Sequence, residues 1–423
     1  MNIQSAFIEL INFNKINIEE ILASLKDIIK KLNVVYYNEN NEHSHYELTG
    51  SIGRGTAISS SDVDFCYILP NEVFQRFENR KGNIQSYLIC EIKECLQKRY
   101  PNSEIKGDGQ VVDAFFKKRL VELVPSFDIN GNKFLKYPDT HNDGSWCLTS
   151  PSNQKNVINS FCNEFLFYKE ACQIIRCWKQ EQNVKIKGIE IDMLAVDFFK
   201  RYSLNYENKK ISDIDILSFL KEFFNYLVND APQLIPIIGD NTTIYLNNAL
   251  FKKKAKKALR KLDETNVSTL WDNCHTLFGE GFPNNPFVSV KNNNEQFIHQ
   301  LFPIKICGSL KINCIISKKG YRTQKLSELL SQENSNSEFV VSTSRNLQFY
   351  IEECDIVRPY DIYWKVKNVG PAAIKMDNIR GEIKKGNENL YERSEFHGPH
   401  YVECYIIKDG KCVAKDRIDV PII

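Results

Sequence analysis

Apolar residues recur at helical spacing through residues 6–33, with Ile18, Ile21, Leu22, Leu25, Ile28, Ile29 and Leu32 on one stripe. That stripe predicts an amphipathic helix lying against a sheet. Residues 46–70 switch to a strand–turn–strand pattern. Residues 83–100 return to the helical period, with Ile84, Leu88, Ile92, Cys95 and Leu96 aligned. Two short runs at 110–116 and 120–125 then read as strands, with Lys117-Lys118-Arg119 as a hairpin tip. The order α, β, β, α, β, β predicts a small mixed sheet with helices, not a parallel doubly wound one.

From about residue 155 the texture becomes helical, at 155–182, 189–203, 212–228 and 247–263. Residues 331–338, Ser-Gln-Glu-Asn-Ser-Asn-Ser-Glu, read as a polar linker. Beyond it, runs at 339–341, 347–351, 363–366, 379–383, 401–407 and 412–414 are separated by turn signals such as Val369-Gly370-Pro371 and Lys408-Asp409-Gly410-Lys411. Strands at such short spacing predict a small β-sandwich. The expected class is therefore α+β. Its parts are a sheet domain over 1–155 with the N-terminal helix packed on it, a helical domain over 156–330, the linker 331–338, and a β-rich domain over 339–423.

The chemistry concentrates in one place. Thr49-Gly50-Ser51-Ile52-Gly53-Arg54-Gly55-Thr56-Ala57 is a small-residue turn, and Asp62-Val63-Asp64 follows, running into the apolar stretch 65–69. Side chains of a strand alternate faces, so Asp62 and Asp64 are expected on one side. Adjacent like charges repel, and a cation removes that cost. Two carboxylates beside a Gly-rich turn thus suggest a site for two divalent metals and a nucleoside triphosphate. A third acidic ligand is expected from a neighbouring strand, and Glu122, Asp128 and Asp113 are the candidates. Glu122 lies inside an apolar β run, where an unpaired carboxylate is costly, and is favoured. Magnesium, or manganese, suits such an all-oxygen site.

Bulk properties narrow the rest. The 423 residues suffice for two or three domains. Lys+Arg is 55 and Asp+Glu 53, a net charge of +2, which argues against a wholesale nucleic-acid coat. No apolar run approaches the ~18 residues of a membrane span, and the N-terminus has no secretory pattern. The 13 cysteines show no zinc spacing and, with no secretory signal, read as reduced thiols of a cytoplasmic protein. Residues 252–261 are strongly basic, with Ala255, Ala258, Leu259 and Leu262 at helical spacing. They predict an amphipathic helix with a solvated cationic face, or alternatively a docking face for a nucleic-acid activator.

The segment 50–58, Gly-Ser-Ile-Gly-Arg-Gly-Thr-Ala-Ile, with Asp62 and Asp64, resembles the polymerase-β type of nucleotidyltransferase. More closely it is similar to the cGAS/DncV-like nucleotidyltransferases (CD-NTases, SMODS type) of bacterial CBASS antiphage systems, relatives of oligoadenylate synthases. Val121-Glu122-Leu123-Val124-Pro125-Ser126-Phe127 resembles that family's acid-bearing strand, which supports Glu122. Gly144-Ser145-Trp146 and Thr149-Ser150-Pro151 match a downstream segment. Ile174-Ile175-Arg176-Cys177-Trp178 looks like the helix whose basic residue, usually Lys, reaches the phosphates. The family's Lys-Ser turn appears here as Lys187-Gly188, which removes a hydroxyl.

The resemblance implies a polymerase-β-like sheet with a helical domain of the oligoadenylate-synthase or poly(A)-polymerase kind. It implies catalysis and metal binding by Asp62, Asp64 and Glu122, and nucleotide binding by Gly50, Ser51, Arg176, Lys179 and Lys187. It also implies ATP and/or GTP as substrates of a cyclic-oligonucleotide synthase with a downstream effector. The rivals are a transferase acting on RNA or protein and a non-catalytic sensor. Residues 363–370, 379–381, 400–406 and 413–418 resemble an AGS-C-type sensor domain, with Trp364, Arg380, His400 and Glu403 as candidates to hold a regulatory, nucleotide-like ligand.

Overall fold

The computed structural model describes residues 2–116, 119–129, 131, 134–240, 242–287, 295–331, 341–376, 378–395 and 397–422. The hairpin tip expected at Lys117 and Lys118 lies outside them, as do 332–338 of the expected linker. The chain divides into two compact units, Met1–Asn284 and Asn285–Ile423.

In the first unit the apolar stripe of 6–33 forms two helices rather than one, α1 (Ile3–Phe13) and α2 (Ile18–Tyr36). Asn17 explains the break: its side chain accepts the Glu20 N–H and caps a new helix. The two helices serve different cores. Ile21, Leu25, Ile28, Ile29 and Leu32 of α2 pack on the sheet, as expected for the N-terminal helix. Ala6, Phe7 and Leu10 of α1 instead join the helical core, with Phe7 edge-on to Phe278 and Phe282.

The sheet contains β1 (Tyr46–Leu48), β2 (Val63–Leu69), β3 (Ile105–Asp108), β4 (Val111–Phe116), β5 (Arg119–Asp128), β6 (Leu135–Asp139) and β7 (Ser145–Thr149). Its order is β1-β2-β5-β4-β3, with β6 pairing β5 and β7. β2 and β5 run parallel and the other pairs antiparallel, so the sheet is mixed, as the element order predicts. The Gly-rich segment is a short helix, α3 (Gly50–Arg54), between β1 and β2; α4 (Asn71–Glu78) and α5 (Ile84–Arg99) follow β2.

The helical part comprises α6 (Pro151–Glu164), α7 (Tyr168–Glu181), α8 (Gly188–Arg201), α9 (Ser203–Tyr206), α10 (Ile216–Asn229), α11 (Asn248–Leu262) and α12 (Val267–Phe278), with a small β8 (Leu234–Pro236)–β9 (Thr243–Tyr245) ribbon. Trp178 and Trp271 are wholly buried in its core. The basic stretch is α11. Phe251, Ala255, Ala258 and Leu262 face inward, and Lys253, Lys256 and Lys257 are exposed.

The second unit packs two antiparallel sheets. One contains β10 (Leu310–Ser317), β11 (Gln324–Lys325), β12 (Asn346–Cys354) and β15 (Asn389–Arg393), ordered β11-β10-β12-β15. The other contains β13 (Asp361–Lys367), β14 (Arg380–Gly386), β16 (Gly398–Lys408) and β17 (Lys411–Ile422), ordered β14-β13-β16-β17. The expected division at 330/339 is therefore misplaced. β10 bonds to β12 over its full length, and Leu310, Ile312, Cys314 and Ile316 alternate into the sandwich core.

A buried ion network lies on the outer face of the second sheet. Lys365 Nζ sits 2.7 Å from Glu295 and 3.2 Å from Glu403, and Lys367 Nζ 2.7 Å from Glu295. Burial alone would lower the Lys365 ammonium, but Glu403, Tyr401 and Glu295 raise it well above its ordinary value. Lys365→Met would take one cation from each of two buried carboxylates, leaving Glu295 to Lys367. A loss of about 3–5 kcal/mol is expected, measured by denaturant unfolding of the full chain.

Among the described residues no helix is long and apolar enough to cross a membrane. The 13 cysteines are all free thiols.

Candidate functional site

The parallel pairing of β2 with β5 sets Asp64 directly beside Glu122, and the antiparallel pairing of β5 with β4 sets Glu122 beside Asp113. Residues in register on adjacent strands share a face, so three carboxylates form one row across the sheet, about 4.8 Å apart per strand. Asp62 precedes β2 by one residue, so it belongs to the entering loop rather than to the strand face expected for it. Asp128 lies on the same face of β5 but six residues beyond Glu122, about 20 Å along the strand, and exposed. It cannot meet Asp64. Glu122→Gln is accordingly expected to remove whatever activity depends on Asp64, while Asp128→Asn leaves it within about twofold, read as product formed per minute.

Asp64 and Glu122 hydrogen-bond through their carboxyls. Burial raises the Asp64 carboxyl above the usual carboxylate range, opposed by Glu122 and by the Arg54 and Arg176 charges. The backbone beneath them is equally constrained. Gly50 has φ +59°, and a Cβ on it would overlap the Asp64 carboxylate. Only glycine lets the α3 turn approach this closely. Thr49 N–H donates to the Asp64 carbonyl at 2.9 Å and fixes the approach.

The donors fit a hard divalent cation: carboxyl oxygens close enough to bond one another, in a cradle a side chain would fill. Among the described residues no three acidic, His or Cys side chains already converge as a finished cage. Asp62 beside the Asp64–Glu122 pair would complete one.

Arg176 lies on α7 two residues before Trp178, as the sequence predicts. Arg176 is buried, and its guanidinium bonds Asp192 Oδ1 at 2.5 Å, Thr56 Oγ1 at 3.1 Å and the Gly188 carbonyl at 3.0 Å. Gly188 is the counterpart of this choice: a Cβ there would lie 2.6 Å from an Arg176 nitrogen. The missing hydroxyl at 188 is thus explained by the larger guanidinium occupying its place. Lys179 is half-buried one turn beyond Arg176, and Lys187 is exposed just ahead of α8. Ser51 is half-buried in the first turn of α3.

Asp192 was not among the residues singled out from the sequence. It is fully buried on α8, with Arg54 Nε 2.8 Å and Thr56 Oγ1 3.0 Å from Oδ2. Asp192 interrupting the apolar run 191–196 was the available signal.

The four residues proposed for a ligand in the second unit are not brought together. Trp364 is in the sandwich core with Nε1 donating to the Asn387 carbonyl at 2.8 Å. Glu403 lies on the opposite face, holding Lys365 and Tyr405. Their strand positions alternate, which puts them on opposite sides. Arg380 and His400 do share a cleft of about 200 Å³, lined also by Asn368, Asn378 and Arg393. Arg380 is bidentate to Glu392 at 2.7 and 2.9 Å, and His400 Nδ1 accepts the Val369 N–H at 3.0 Å.

Residues 1–161 match the Second Messenger Oligonucleotide or Dinucleotide Synthetase domain family. Residues 292–423 match the Adenylyl/Guanylyl and SMODS C-terminal sensor domain family. No curated protein sequence matches the chain significantly. Among solved structures the chain is similar to the Vibrio cholerae DncV cyclic AMP-GMP synthase (12% identity over 67% of this chain and 87% of that one, TM-score 0.46). It is also similar to the Elizabethkingia meningoseptica CdnE cyclic dinucleotide synthase (12%, 57% and 92%, 0.42) and to the Bradyrhizobium diazoefficiens CD-NTase CdnG (9%, 65% and 94%, 0.46). Likeness at this level leaves the chemistry open.

Proposed function

As a nucleotidyltransferase that carries a second-messenger synthetase domain over 1–161 and the C-terminal sensor domain of such enzymes over 292–423, this protein, we propose, joins ATP and/or GTP into a cyclic oligonucleotide with release of pyrophosphate. The observation that carries this reading is the Asp64–Glu122 pair in register on parallel strands, pressed against Gly50.

Asp62, Asp64 and Glu122 would hold two Mg²⁺ or Mn²⁺ ions. Bound there, the ions would supply the positive charge that favours ionisation of an attacking ribose hydroxyl and neutralises a departing pyrophosphate. The chain's own part is positioning. Gly50 lets backbone and acids share one small space, and Ser51 offers a hydroxyl and an amide to the terminal phosphates. Lys179 and Lys187 add positive charge on the helical side. A first phosphodiester would be followed by repositioning and closure in the same site. The product would act on a downstream effector in antiphage signalling, inside the cytoplasm, where free thiols persist.

In the second unit, the cleft holding Arg380 and His400 is the place for a regulatory ligand. The exposed lysines of α11 favour a second reading, in which RNA or DNA docks as activator or acceptor.

The test is incubation of the full chain with all four NTPs and Mg²⁺ or Mn²⁺, followed by phosphatase and mass spectrometry. A phosphatase-resistant product from wild type and not from Asp62→Ala/Asp64→Ala supports the reading and names bases and ring size. Labelled RNA or protein in place of that product overturns it in favour of a macromolecular acceptor.

A further inference from the structure

β2 begins at Val63, so Asp64 is placed by the pairing of β2 with β5, while Asp62 stands one residue outside that ladder. A side chain just beyond a strand is placed by the loop that carries it. That loop, residues 56–61, is bonded to helices. On α7, Gln173 Nε2 donates to the Ala57 carbonyl at 3.2 Å, Arg176 donates to Thr56 Oγ1 at 3.1 Å, and Gln180 Oε1 accepts the Ser60 hydroxyl at 2.5 Å. At the end of α1 the Asn14 carbonyl accepts the Ser59 N–H at 2.8 Å. The loop also closes on itself: Ser61 Oγ accepts the Ile58 N–H at 3.0 Å, and the Ser61 N–H donates to the Ile58 carbonyl at 2.8 Å.

The pattern is directional. Gln173, Arg176 and Gln180 follow the i, i+3, i+7 spacing, so one face of α7 grips the loop along its length. The serines 59–61 each hold a different partner, Ser59 through its amide to α1, Ser60 through its hydroxyl to α7, and Ser61 through both groups to Ile58. Ser60 lies two residues before Asp62. A cation site needs its oxygens placed to within about 0.5 Å, and the groups behind the ligands do that placing. The two carboxylates of the Asp-x-Asp pair therefore have different supports: the strand ladder for Asp64, and a loop bonded to the helices for Asp62.

We infer that Gln180 is a positioning residue of the acid site: its bond to the Ser60 hydroxyl ties the loop to α7 and so sets Asp62 where it can share a divalent cation with Asp64 and Glu122. This rests on the reading that Asp62 is a ligand of that cation. Without the bond, the loop must be ordered at the moment the cation binds, and that cost shows as weaker binding. The worth of one hydrogen bond corresponds to a loss of about three- to tenfold in affinity.

The experiment is a Mn²⁺ titration of the full chain without nucleotide, read by electron paramagnetic resonance, with near-UV circular dichroism on each variant. Ser60→Ala and Gln180→Leu are each expected to bind about three- to tenfold more weakly than wild type. Ser60→Thr keeps the hydroxyl and is expected to bind as wild type does. Ser60→Ala/Gln180→Leu should bind no more weakly than the poorer single variant, because both changes remove one bond. Gln180→Ala takes the place of Gln180→Leu if the latter fails to fold. A role in stability alone would leave the affinity of the folded variants unchanged, and that result overturns the inference. So do additive losses in the double variant, or a loss in Ser60→Thr equal to that in Ser60→Ala. No Mn²⁺ binding by wild type, or undiminished binding by Asp62→Ala, overturns the reading of Asp62 as a ligand and the inference with it.

Discussion

Alanine at Asp64 is expected to reduce nucleotidyl transfer by a factor of about 10³ or more while the protein stays folded. A catalytic metal stabilises transition-state charge by several kcal/mol, and each 1.36 kcal/mol is tenfold in rate. Asp64 sits in the centre of the relevant geometry, beside Glu122 and over Gly50. The fold should not suffer, because Asp64 is a destabilising presence without a cation. Its carboxyl is raised by burial. A raised acid lends stability below its unfolded pKa and loses it as pH rises through the folded one. Removing the carboxyl therefore makes the metal-free protein equally or more stable at neutral pH. The check is product yield by mass spectrometry alongside thermal unfolding in EDTA. Retained turnover, or a melting temperature several degrees lower, would contradict this account of Asp64.

Serine at Gly188 is expected to be strongly disruptive, and lysine at Arg176 to rescue it. The added Cβ would come within 2.6 Å of an Arg176 nitrogen that is bonded to Asp192, Thr56 and the Gly188 carbonyl. The guanidinium cannot step aside without leaving Asp192 buried and short of a partner. Breaking a buried ion pair costs about 3–5 kcal/mol. A lysine is slimmer and single-headed, and it leaves room for the serine. Gly188→Ser should therefore lower stability by about 2–4 kcal/mol, and Gly188→Ser/Arg176→Lys should recover at least half of that. Denaturant unfolding of the four proteins forms a double-mutant cycle, and additive effects would show that the two positions do not share space.

Much of this architecture was legible from pattern. Short apolar runs placed β2 and β5, and an acid leading into the first and one inside the second marked Asp64 and Glu122. Register could not be read, because it depends on which strands pair. Only the β2–β5 pairing makes Asp64 and Glu122 neighbours and removes Asp128. The break between α1 and α2 was hidden because the apolar stripe continues across it; the cue was Asn17 as a cap. The domain boundary was misjudged because the polar run at 331–338 draws attention away from β10, whose alternation at 310–316 already announces a strand. Trp364 and Glu403 looked alike as ligand candidates in the sequence; the β13–β16 register, which sets Trp364 opposite Cys404 and Lys365 opposite Glu403, is what separates them. Asp192 and its two arginines are 138 and 16 residues apart in the chain, and no local pattern joins them.

The account stands on a single geometric claim, that Asp62, Asp64 and Glu122 form one divalent-cation site. Anomalous diffraction from crystals grown with Mn²⁺ and a non-hydrolysable nucleoside triphosphate tests it directly. The account predicts two peaks bridged by the Asp62 and Asp64 carboxyls, one of them also bound by Glu122, at about 2.0–2.3 Å from the oxygens. Peaks confined to other carboxylates, or none at the Asp64–Glu122 pair with the nucleotide in place, would contradict it.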